Sequence, residues 1–131
     1  MLHETFDFRE KPVTLIHHAA NCGHHQPPGS ISALRQCLAS EPAAVEIDAI
    51  PLADGSFALL HEQDLQAETS GVGNATQKAR LEIKDLFYTV NGKVTDEPIG
   101  FLDEAVELYA AHPKTQRLQI DLKPYAPLTQ K

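Results

Sequence analysis

Residues 44–50 read Ala-Val-Glu-Ile-Asp-Ala-Ile, a β-strand that is apolar except for Glu46 and Asp48. Alternation along a strand puts both carboxylates on one face and Ile47 on the other. On an interior face the two groups repel one another and lose solvation, so they need a cation or a buried proton to be tolerated. On a solvent-facing edge strand the same pattern is ordinary polar alternation. A fold that accepts this strand must supply one of those two surroundings.

The neighbouring segments favour strands mixed with helices. Residues 13–17 form a short apolar run ending in polar residues and read as a buried strand. Residues 21–29 are rich in His, Pro and Gly and read as a loop. Ser30 is a natural N-cap. Ile31, Leu34 and Leu38 follow at spacings of three and four, which predicts an amphipathic helix to about Ala39. Asp54-Gly55 signals a turn before a third strand at 57–61, and residues 69–76 make a Gly-containing loop. A short helix is expected over 79–87. Asn91-Gly92 between Tyr88-Thr89-Val90 and Lys93-Val94-Thr95 predicts a hairpin with a type I′ turn. Leu102, Ala105, Val106 and Tyr109 share one face of a helix reaching about Ala111, and residues 117–122 are a fourth strand. This order predicts an α/β fold with parallel strands. In such sheets ligands bind at the strand C-termini.

The 131 residues suffice for one domain, and 42% hydrophobic content supplies a core built mainly from Leu, Ile, Val and Ala. A net charge of −7 argues against phosphate-backbone binding to nucleic acid, which needs clustered Lys and Arg. No apolar stretch approaches the roughly 18 residues of a membrane span. The polar start, residues 1–11, lacks the apolar centre of a signal peptide, so a cytoplasmic location is expected, with a secreted or periplasmic one left open if a leader has been removed. Cys22 and Cys37 show no Cys-x-x-Cys spacing and read as free thiols.

Chemistry-bearing side chains fall at the expected strand ends. His17 ends the first strand and His61 the third. Asp121 and Lys123 share one side of the fourth. A third carboxylate beside Glu46 and Asp48 would complete an oxygen-rich site suited to Mg²⁺ or Ca²⁺. Lys123 can offer a point charge to a phosphate oxygen, although an exposed Asp–Lys pair would be worth little. His17 and His61 can act as acid and base near neutral pH, and phosphodiester cleavage needs one of each. His17-His18 and His24-His25 lack the flanking cysteines of a zinc site. The segment Thr69-Ser70-Gly71-Val72-Gly73 lacks the Lys-Ser/Thr of a P-loop and reads as a flexible turn.

Taken in order, these motifs resemble the glycerophosphodiester phosphodiesterase family. Its opening His-Arg-Gly is matched by His17-His18-Ala19, and its Pro-Glu-Asn-Thr helix start by Pro27-Pro28-Gly29-Ser30. Its Glu-x-Asp is Glu46-Ile47-Asp48, its Asp-Gly turn Asp54-Gly55, and its His-Asp His61-Glu62. Leu65, Thr69, Gly71 and Gly73 follow the family's downstream pattern. Leu102-Asp103-Glu104 matches Leu-x-Glu, and Asp121-Leu122-Lys123 matches Glu-x-Lys. The resemblance implies a (β/α)8 TIM barrel, of which 131 residues would be the N-terminal half with about four parallel strands. A whole barrel takes about 250 residues. It implies His17 and His61 as the acid/base pair, Glu46, Asp48 and Asp121 as ligands of Mg²⁺ or Ca²⁺, and Lys123 and His18 as phosphate contacts. The implied reaction is metal-dependent hydrolysis of a small glycerophosphodiester to sn-glycerol 3-phosphate and an alcohol, within lipid and glycerol metabolism. The related phospholipase D-like branch instead forms a cyclic phosphate. His18 for Arg, Pro28-Gly29 for Glu-Asn and Asp121 for Glu mark a divergent member, and leave room for a non-catalytic binding module on the same scaffold. An open half-barrel also implies self-association through the uncovered side.

Overall fold

The computed structural model describes residues 5–8, 11–14, 16, 17 and 26–123, with side chains from residue 26 onward. His18, Cys22 and His24-His25 lie outside the described residues. The chain runs β1 (Thr5–Phe8), β2 (Lys11–Thr14), β3 (Ile16–His17), α1 (Ile31–Ala39), β4 (Ala44–Pro51), β5 (Phe57–Ala58), α2 (Leu65–Glu68), a 3-10 turn (Ala75–Gln77), α3 (Arg80–Ile83), β6 (Phe87–Val90), β7 (Lys93–Pro98), α4 (Leu102–Ala110) and β8 (Arg117–Leu122).

The expected first strand is divided. β2 pairs antiparallel with β1, and only the two residues of β3 run parallel to β4. β8 lies directly beside β4, also parallel, over six residues of each strand. The third expected strand departs from the prediction. β5 pairs antiparallel with the end of β4, Ile50 opposite Ala58 and Pro51 opposite Phe57. The described residues therefore hold three parallel strands rather than four. The reason is the length of the connection: a parallel crossover takes a dozen or more residues, whereas the tight turn at Asp54-Gly55 can only send the chain straight back. Gly55 supplies the positive φ of that turn.

Helices cover one face of the parallel layer. Leu34, Cys37 and Leu38 of α1 and Ala105 of α4 pack on Val45 and Ile47 of β4, with Leu102, Leu108, Tyr109 and Leu118 at the margin. The α1 stripe is the one its three- and four-residue spacing predicts, and Ser30 Oγ caps it by accepting from the Ala33 N–H at 3.1 Å. Leu34, Leu38 and Ile47 are wholly buried, which is worth about 1.5–3 kcal/mol for each such side chain. In α4, Leu108 packs against this core along with Leu102, Ala105 and Tyr109, and Val106 turns outward.

Residues between β4 and α4 build a second core from Ile50, Leu60, Leu65, Ile83, Tyr88 and Phe101. The predicted hairpin forms here, and Asn91 (φ 53°) with Gly92 (φ 80°) gives the double positive φ of a type I′ turn. The short helix α3 stops at Ile83, because Leu86 returns its N–H to Ile83 and Phe87 enters β6.

Cys37 is disulfide-bonded, which overturns its reading as a free thiol. No helix among the described residues is long and apolar enough to cross a membrane.

Candidate active site

With Val45 and Ile47 committed to the helices, alternation turns Glu46 and Asp48 to the opposite face of β4. The register of β8 sets Asp121 level with Asp48 and Gln119 level with Glu46. Glu46, Asp48 and Asp121 thereby each offer a carboxylate oxygen within 4.8 Å of the others. Lys123 continues the ladder through its N–H to the Ala49 carbonyl at 2.8 Å. Its Nζ lies 2.9 Å from Asp121 Oδ2 and 3.9 Å from Asp48 Oδ1.

Asp48 is the most enclosed of the three. Its side chain is 7% exposed, and Oδ1 is buried with no hydrogen-bond donor. Burial pushes its carboxyl above the usual carboxylate range, an effect opposed by Lys123 and His61 and reinforced by Glu46 and Asp121. A buried carboxylate oxygen without a donor, inside a cluster of oxygen ligands, fits a hard divalent cation.

His61 approaches from the second core, in the turn that leaves β5. Its side chain is 54% exposed, and Nδ1 lies 2.9 Å from Glu62 Oε2. A cavity of about 350 Å³ opens between Asp48, His61, Leu60, Tyr88 and Pro27-Pro28. A larger cleft of about 690 Å³ lies between α1, α4 and the β7 end of the hairpin, away from the carboxylate cluster. Of the two, the smaller cavity alone joins a cluster carboxylate to a histidine.

Four predicted residues, Glu46, Asp48, Asp121 and Lys123, come together on one face. His61 lines the same cavity as Asp48, from a loop after an antiparallel strand rather than from the end of a parallel one. His17 is the last residue of β3, level with Val45 and so one residue short of Glu46; its side chain lies outside the described part. His18 is outside it altogether.

Two residues with no sequence signal also shape the cavity. Tyr88 is buried, and its hydroxyl donates to the Leu59 carbonyl at 2.7 Å and accepts from the Gly100 N–H at 3.2 Å. That places it between the strand leading to His61 and the residue leading into α4. Glu68 lines the cavity from α2. The segment expected to be a loose turn is closed upon itself. Thr69 Oγ1 donates to the Leu65 carbonyl at 2.7 Å and accepts from the Gly71 N–H at 3.0 Å. Gly71 lies so close to Leu86 that an added Cβ would stand 2.5 Å from its Cδ1.

An α/β layer of parallel strands, with helices on one face and acidic residues on the other, is the class this geometry defines. Solved structures similar to it in fold include phosphodiesterases. One from Oleispira antarctica, in complex with the product sn-glycerol-3-phosphate, has a TM-score of 0.72 at 26% identity over 86% of this chain and 45% of its own. A glycerophosphoryl diester phosphodiesterase from Parabacteroides distasonis has a TM-score of 0.69 at 22% identity, covering 84% of this chain and 38% of its own. A glycerophosphodiester phosphodiesterase from Agrobacterium tumefaciens has a TM-score of 0.67 at 21% identity, covering 86% and 48%. The chain thus spans less than half the length of these structures. No family model and no curated protein matches it. The sequence motifs resemble those of the glycerophosphodiester phosphodiesterases, and the fold of this chain is similar to part of theirs.

Proposed function

We propose that the chain carries the first part of a glycerophosphodiester phosphodiesterase barrel, with the metal-binding and proton-transfer residues of its site. The observation that carries this reading is the three-carboxylate cluster beside His61, with Asp48 Oδ1 buried and lacking a donor. Glu46, Asp48 and Asp121 would hold Mg²⁺ or Ca²⁺. Bound there, the cation would polarise a phosphoryl oxygen of the substrate. His17 and His61 divide the proton work: one takes a proton from the attacking water, and the other protonates the departing alcohol oxygen. Lys123, now paired with Asp121, and His18 are the phosphate contacts. The products are sn-glycerol 3-phosphate and an alcohol.

The test is incubation of the chain with a glycerophosphodiester and Mg²⁺ or Ca²⁺, followed by phosphorus NMR. The reading expects sn-glycerol 3-phosphate, abolished by chelation and by His61→Asn. A cyclic phosphate as final product would move the assignment to the lyase branch. Saturable ligand binding without turnover would favour a binding module. That second reading is supported by His18 and Asp121, where the family has Arg and Glu. Among the described residues β8 pairs only with β4, and Ile120 is exposed. Its open edge suits further strands, from a longer chain or a second copy, and sedimentation would separate the two.

A further inference from the structure

We propose that Glu68 is a positioning residue for His61. Its Oε2 accepts from the backbone N–H of His61 at 2.8 Å and from that of Glu62 at 2.7 Å. One carboxylate oxygen thus closes on two consecutive amides. The peptide plane between residues 61 and 62 is fixed, and with it the direction in which the His61 side chain leaves the backbone. The clamp is itself anchored. Glu68 is the last residue of α2, whose Leu65 is buried in the second core. Leu65 donates its N–H to the Gly73 carbonyl at 2.8 Å, and Asp64 bridges to Asn74. The ring is held from the other side by the Glu62 carboxylate on Nδ1. A carboxylate only accepts, so the proton of that bond is on Nδ1, and Nε2 is left for proton transfer.

A purely structural role would be to satisfy two turn amides. Water or a hydroxyl can do that at a surface without removing a charge from solvent. Here a carboxylate is drawn into partial burial, which raises its pKa although the two amide bonds work to lower it. The same carboxylate lines the cavity that joins Asp48 to His61. Charge-assisted bonds to a half-buried group outweigh the exposed contact between His61 and Glu62, so Glu68 rather than Glu62 dominates the placement.

This inference rests on the reading of His61 as a proton-transfer group, and the experiment separates the two. The full chain and its Glu68→Ala and Glu68→Gln variants are compared by amide exchange at residues 61 and 62, by imidazole ¹⁵N shifts of His61, and by steady-state hydrolysis. The Gln side chain keeps an oxygen that can accept from both amides. In Glu68→Ala the two amides should exchange faster and the His61 ring should lose its Nδ1–H preference. Its kcat should fall about 10- to 100-fold, the scale of a displacement of about 1 Å, with KM changed less than about twofold. Glu68→Gln should restore most of each signal. A folded Glu68→Ala chain with unchanged amide exchange and ring shifts would overturn the proposal, as would a Gln variant as impaired as the Ala variant. If the unaltered chain does not hydrolyse the substrate, the hydrolase reading falls. The exchange and ring signals then still decide whether Glu68 positions His61.

Discussion

The two cores of this chain are built by opposite means. The helix-side core repeats itself: every second residue of β4 meets every third or fourth residue of α1, and β8 extends the pattern in register. The second core, between β4 and α4, has two four-residue helices, a 3-10 turn and a hairpin. It is tied together by side-chain bonds to backbone, such as those of Tyr88, Thr69 and Glu68. The first core places three carboxylates by strand register. The second places one histidine by a network of single contacts. On the proposed reading, metal ligation and proton transfer in this site would rest on separate structural supports. They should therefore fail separately.

The largest expected effect strikes the regular core. Ile47→Ala removes a wholly buried side chain between the two helices and should cost about 2–5 kcal/mol in urea unfolding. Both the carboxylate cluster and the His61 loop should suffer with it, since β4 carries the first and hairpins into the second. Gly100→Ala probes the seam between the cores. Its Cβ would stand 2.6 Å from Ile31 Cγ1 of α1 and 3.1 Å from Leu59 Cδ1, for a loss of about 2–3 kcal/mol by the same measurement.

Tyr88→Phe addresses the second core alone. It strands the Gly100 N–H and removes the donor to Leu59, for about 1–2 kcal/mol. Metal affinity should stay at the unaltered value while turnover falls. A parallel loss of metal affinity would break the distinction between the two regions.

The smallest effect is electrostatic and sits at the turn that makes β5 antiparallel. Asp54 accepts from Ser56 Oγ at 2.6 Å, from Ser56 N–H at 3.0 Å and from Arg80 N–H at 3.0 Å. The Ser56 hydroxyl bond, followed by these amides, lowers its carboxyl from the ordinary 3.8 to about 2. A depressed folded pKa means that the unfolded state binds the proton more readily. The stabilisation is thus complete above 3.8 and is lost as pH falls toward 2. A carboxyl ¹³C titration should place the Asp54 midpoint near the lower value, and Asp54→Asn should flatten this part of the acid-unfolding curve.

These differences also explain what could be read from the sequence. Helix α1 was legible through Ser30 and the 31, 34, 38 spacing, and β4 and β8 through their apolar runs and carboxylates. The Asn91-Gly92 turn was legible because few residue pairs accept two positive φ values. Strand direction was not, since an apolar run such as 57–61 looks the same either way along a neighbour. The length of the link from Pro51 to Phe57 was the signal that could have settled it. The contacts of Tyr88 and Glu68 join residues far apart or out of phase, where no periodicity points to them. In the site, Glu46, Asp48, Asp121 and Lys123 gather as the strand pattern anticipates, whereas the route by which His61 reaches them emerges only from the folded excursion.

Calorimetric titration of Mg²⁺ or Ca²⁺ into the unaltered chain, Asp48→Asn and His61→Asn tests the separation most directly. The account predicts saturable binding to the unaltered chain, retained in His61→Asn and lost in Asp48→Asn. Binding that survives in Asp48→Asn, or that disappears in His61→Asn, would contradict it.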